Sequence, residues 1–110
     1  MQTIVRLMEA ALPCKVRANG EAKGEECAVY TFNTTLYTGA RREARMKVQI
    51  AARTMARGIA LEEMLDRALV PVGELPVTGT CTACQRNGGG WLVDGDWHIR
   101  IAYYDMIFRR

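Results

Sequence analysis

Between Thr38 and Val70 apolar residues recur at Ala44, Val48, Ala51, Met55 and Ile59. That is the spacing of one face of an α-helix laid on a core. Arg41, Arg45, Gln49, Arg53 and Arg57 fall four apart on a second face, with Arg42 beside them. Past Gly58 the apolar phase moves to Leu61, Met64, Leu65, Ala68 and Leu69. A phase shift at a glycine predicts two packed helices, or one kinked helix, in the middle of the chain.

On the N-terminal side, Ile4, Leu7, Met8, Ala11 and Leu12 fit a short helix that Pro13 ends. The run from Thr3 to Leu7 would also serve as a strand. Cys14 to Arg17 is extended in character, and Cys27 to Tyr37 carries the β-branched and aromatic residues of a strand. The polar, glycine-bearing stretch between them predicts a hairpin, and a turn near Gly20 and Glu21 sets Cys14 opposite Cys27. Thr38 and Gly39 then stand where the central helix would begin.

Residues 71–90 hold two prolines and five glycines and read as a long connection. Trp91 to Phe108 reads as a second hairpin, closed by a two-residue Asp94-Gly95 turn. In that register Trp91 faces His98 and Leu92 faces Trp97. The fold class is therefore α+β, with two hairpins forming a small antiparallel sheet packed against the central helical pair. At 110 residues, 49% of them hydrophobic and 25% charged, residues 1–110 suffice for a single domain with a modest core.

Charge adds one candidate surface. The net charge is only +3, yet arginine outnumbers lysine by 12 to 3, and Arg41, Arg42, Arg45, Arg53 and Arg57 cluster on the predicted helix. Guanidinium groups suit carboxylate and phosphate recognition because their planar fork donates paired hydrogen bonds. The opposite charge of Glu62, Glu63 and Asp66 close by makes internal pairing, such as Glu63 with Arg67, the competing use of those arginines. Neither a helix-turn-helix nor an aromatic RNA-binding sheet motif is present.

Cysteine supplies the second candidate. Cys81-Thr82-Ala83-Cys84 has the spacing that points two sulfurs at one ion, and Cys14 with Cys27 could complete a four-thiolate site. His98 could replace one ligand. One structural zinc would then hold the long connection in place. The alternatives are buried thiols acting as small hydrophobes, or a thiol pair without metal. Cys84 with His98 is a conceivable nucleophile pair, but nothing in the sequence marks either as activated.

No export signal opens the chain and no apolar run approaches a membrane span, so a cytoplasmic, reducing setting is expected, with no membrane partner. Leu75-Pro76-Val77-Thr78-Gly79 matches a cell-wall sorting pattern but lacks the hydrophobic span that would have to follow. In general character, and on no particular motif, the chain is similar to the small single-domain proteins of phages and other mobile elements. These include inhibitors of anti-CRISPR type. That resemblance implies a non-enzymatic protein that occupies a surface of a protein or nucleoprotein complex. The alternative is a zinc-stabilised regulator that sets the same arginines on nucleic acid.

Overall fold

The computed structural model describes residues 2–38, 41–70 and 81–109. Among these residues two helices and five strands follow one another: α1 (Gln2–Ala11), β1 (Lys15–Ala18), β2 (Cys27–Thr38), β3 (Arg41–Ala52), α2 (Met55–Leu69), β4 (Cys81–Asp94) and β5 (Trp97–Arg109). The strands form one sheet in the order β1-β2-β3-β5-β4. The α+β class holds. The sheet is mixed, because β1 runs parallel to β2 while the other pairings are antiparallel.

The main departure from the sequence reading is Arg41 to Ala52, which is a strand and not the first helix of a pair. Its residues alternate strictly. Ala44, Met46, Val48, Ile50 and Ala52 are buried in the main core, and Arg45, Lys47 and Gln49 point to the other face. Only the second half of the expected helical pair is helical. Thr54 caps α2 by accepting the Arg57 backbone N–H at 3.1 Å, and Leu61, Leu65 and Leu69 are buried beneath it. Its helical neighbour is α1, which buries Ile4 and Met8 one turn apart, with Leu12 just beyond, and touches α2. Both helices cover the same face of the sheet.

The first expected hairpin is also different. Lys15 pairs with Cys27 and Ala18 with Tyr30 in the parallel sense, so the chain crosses back through residues 19–26. Asn19, Gly20 and Gly24 take positive φ to make that crossover, and Asn19 N–H is held by Tyr30 C=O at 2.8 Å. The crossover folds over the helix-free face, where Ala22 is buried with Cys27, Val29, Ala51 and Ile99 in a second, smaller cluster.

Within the expected connection, residues 81–90 belong to β4, while residues 71–80, including the sorting-like Leu75 to Gly79, lie outside the described residues. Gly39, expected near a helix start, also lies outside them. Glycines enter β4 because it bulges between Arg86 and Gly89. A Cβ on Gly89 would lie 2.3 Å from the Ile101 carbonyl oxygen. The terminal hairpin is present with its turn moved by one residue. Asp94 pairs with Trp97, Val93 with His98 and Trp91 with Arg100, leaving Gly95-Asp96 as the loop. Gly95 at φ 60°, followed by a residue without positive φ, suits a type II′ turn, which wants glycine first. The shift moves each partner by two positions and so leaves every side chain on its expected face.

Candidate functional site

The five arginines do not form one stripe. Arg41 begins β3, opposite Arg109, and Arg45 lies farther along the same strand. Arg45 Nε donates to Asp105 Oδ1 at 3.0 Å on the helix-free face. Arg42 points to the helix side, its guanidinium 5.2 Å from the centroid of the Phe108 ring and its Nε buried without a hydrogen-bond partner. Arg53 stands 4.5 Å over the Trp97 ring between β3 and α2. Arg57, on α2, donates from Nε to Glu26 Oε1 at 2.7 Å. Three of these cations are thus committed to internal carboxylates or aromatic rings on separate parts of the molecule, and Arg42 rests on a ring as well.

The sheet divides the four cysteines into two pairs. Cys27 lies in the same row across the sheet as Ala51, Ile99 and Leu92. Cys84 lies in the row of Met106, Ala44 and Thr34. Three strand spacings one way and the run from Ile99 to Met106 the other put the pairs roughly 25 Å apart. The fold therefore does not gather Cys14, Cys27, Cys81 and Cys84 around one ion. Among the described residues no three of His, Cys, Asp and Glu cluster as metal ligands would. The C-x-x-C spacing instead spans a bulge between Cys81 and Ala83, which brings both thiols onto the buried face beneath α2.

Burial shapes the chemistry of these thiols. Cys84 is pushed up to about 12, by desolvation first and then by the neighbouring Cys81, Asp105 and Asp66. Cys14 and Cys81 are raised too, burial being the leading cause in each. Such thiols are weak nucleophiles at neutral pH. His98 lies on β5 opposite Val93, with its Nδ1 buried and taking no hydrogen bond, so no carboxylate orients it as a base.

A polar network that the sequence did not announce ties β4 to the rest. Arg86 donates from Nη1 to both carboxylate oxygens of Asp66, at 2.8 and 2.9 Å, and from Nη2 to Glu62 at 3.2 Å. Its Nε reaches the Gly88 carbonyl at 2.8 Å. Arg100 holds the other Glu62 oxygen at 3.0 Å, and the Tyr104 hydroxyl donates to Asp66. Burial, and then that bond to Asp66, raise the Tyr104 hydroxyl well above its ordinary pKa. The fork of one arginine thus fixes the edge strand against α2. Only the i, i+4 spacing of Glu62 and Asp66 hints at it in the sequence.

Past this network the same edge turns apolar. Among the described residues, the exposed large hydrophobic side chains are Met55 (38%), Ile59 (38%), Trp91 (56%), Leu92 (45%) and Val93 (52%). At 100° per residue, Met55 and Ile59 fall on the side of α2 that carries Glu62 and Asp66, the side turned to β4. Trp91 and Val93 share the helix-side face with their partners Arg100 and His98, while Leu92 shares the other face with Ile99. All five therefore lie along one edge of the molecule. Two shallow grooves, of about 350 and 260 Å³, mark the helix-free face. The second runs up to Leu92 and Asp94. Among the described residues, no helix is long and apolar enough to cross a membrane. No protein-family model and no curated protein matches the chain.

Proposed function

We propose that this chain is a non-enzymatic binding protein that meets a protein partner along the β4 edge. The observation that carries the reading is the gathering of Met55, Ile59, Trp91, Leu92 and Val93 on that single edge. Scattered apolar residues on a surface need no explanation, but a group that shares one edge and includes a tryptophan has the make-up of an interface.

The chemistry of the other candidates supports the same choice. Arg45, Arg57, Arg86 and Arg100 each hold a carboxylate of this chain, which leaves them poorly placed to follow a phosphate backbone. The raised thiols of Cys14, Cys81 and Cys84 and the unoriented His98 favour binding over catalysis. An inhibitor of anti-CRISPR type could use an edge of this kind to cover part of a host complex.

The test is a photo-reactive amino acid placed at position 92, and separately at exposed position 15 on β1, the opposite edge of the sheet, in the cells that make the protein. Protein adducts at 92 and none at 15 are expected. Adducts with nucleic acid, or adducts only at 15, would overturn the reading. So would nucleic-acid affinity that falls steeply with salt, the behaviour of the alternative regulator.

A further inference from the structure

The two edges of the sheet are built differently. β1 is four residues long and presents Lys15 and Arg17, so it is short and charged, as edges that avoid pairing are. β4 is fourteen residues long and closes the other side of the sheet. Its register shifts are confined to Cys81–Gly89, which leaves Gly90 to Asp94 regular. No proline and no lysine interrupt that stretch, and the one charge is at its end.

Backbone geometry specifies what this edge offers. A two-residue turn closes on a hydrogen-bonded pair, here Asp94 with Trp97, and bonded and non-bonded pairs then alternate along the hairpin. Leu92 is therefore bonded to Ile99, whereas Trp91 and Val93 direct their N–H and C=O groups outward. Among the described residues nothing pairs with that outer edge.

We infer that the occupant of this edge is a second copy of the chain, paired antiparallel about a two-fold axis at Leu92. The inference rests on the protein-binding reading above and names its partner. About that axis Trp91 of each copy exchanges two backbone hydrogen bonds with Val93 of the other, so every outward group in Trp91–Val93 is satisfied. The side chains match as well. On the helix side Trp91 of one copy packs on Val93 of the other, flanked by Met55 and Ile59, and on the opposite face Leu92 meets Leu92. Asp94 comes opposite Gly90, so no like charges oppose each other. A match of backbone groups and side chains about one residue is what a two-fold interface requires.

Sedimentation velocity on the purified chain tests this. A species of twice the 12.3 kDa chain mass is expected, dissociating on dilution. Leu92→Lys sets two cations side by side on the axis and should weaken the association by roughly 30-fold or more. Trp91→Lys should do the same, both with unchanged far-UV circular dichroism, while Lys15→Gln on β1, at the opposite edge of the sheet, leaves the dimer intact. A monomer from micromolar to millimolar concentration overturns the inference, as does a dimer indifferent to both edge variants. If that monomer still forms adducts at position 92 with a different protein, the binding reading stands and the second copy falls. A monomer with no adducts removes both.

Discussion

Replacing Arg86 by methionine keeps the apolar stem and removes the fork that fixes β4 to α2. The loss includes two hydrogen bonds to Asp66, at 2.8 and 2.9 Å, and one to Glu62 at 3.2 Å. Side-chain exposure is 25% for Arg86, 13% for Glu62 and 35% for Asp66, so water repairs Asp66 better than Glu62. Removing one partner of a fully buried ion pair costs about 3–5 kcal/mol. A single hydrogen bond to a charged group is worth about 1.5–3 kcal/mol. Arg100 and Tyr104 remain to hold the two carboxylates, which places the loss near the lower of these ranges, about 2–3 kcal/mol. For a chain of this size that lowers Tm by about 10 °C. Urea unfolding followed by far-UV circular dichroism measures it, with the slope unchanged if the folded state keeps its compactness. Arg86→Lys should recover only part, since an ammonium keeps the charge without the fork. The double variant with Asp66→Asn should fall short of the sum of the single losses. A loss below about 0.5 kcal/mol would put the network in the class of exposed ion pairs and refute its role as a strut.

Three further outcomes follow from local geometry and electrostatics. Gly89→Ala should destabilise by more than about 1 kcal/mol in the same urea assay, because its Cβ would meet the Ile101 carbonyl oxygen at 2.3 Å. Gly90→Ala, with nothing within 4 Å, should be neutral or slightly stabilising, and equal effects at the two positions would contradict the bulge. Asp105 is held below its ordinary pKa, chiefly by the hydrogen bond from Arg45 and also by that from Asn87. Its contribution is therefore present above about pH 4 and lost as pH falls through the lowered value. With the pair more than a third exposed this is worth less than about 1 kcal/mol. Asp105→Asn should flatten the acid limb of the urea midpoint slightly, and a change near neutral pH only would contradict the assignment. In native protein at pH 8, iodoacetamide should modify half-buried Cys14 first and leave Cys84 unmodified until urea is added. A chelator should leave Tm unchanged, and a marked fall would show that the thiol pairs do share a metal.

The α+β class, the helix past Gly58 and the final hairpin were legible because each carries one clean period, whereas Thr3 to Leu7 fitted a strand as well as a helix, and Met55 and Ile59, expected on the core stripe, are exposed on α2. β3 was not, for a reason peculiar to its numbering. Every fourth position of a period-two pattern lies on one face, so Ala44 with Val48, and Arg41 with Arg45 and Gln49, satisfy both a strand and a helix. Intermediate residues decide the matter, and Met46 and Ile50 alternate with Arg45, Lys47 and Gln49. Alanine, arginine, methionine, lysine and glutamine also favour helix, a local preference that pairing with β2 and β5 overrides. The glycine run disguised β4, since Gly88 to Gly90 read as loop while serving a bulge inside a strand. Cys81 and Cys84 suggested a metal site by their spacing, and a second bulge turns that spacing into a shared buried face. The exposed edge was the least legible part. Trp91, Leu92 and Val93 look like core residues in a sequence, and their exposure depends on β4 ending the sheet.

Hydrogen exchange at the Trp91, Leu92 and Val93 amides tests the use of that edge most directly, read residue by residue by NMR at rising protein concentration. The Leu92 amide, bonded within the hairpin, should be protected throughout. The account predicts that Trp91 and Val93 exchange rapidly in dilute protein and slow together as concentration rises, the sign of a strand added at the outer edge. Rapid exchange at both positions, unchanged at every concentration, would contradict it.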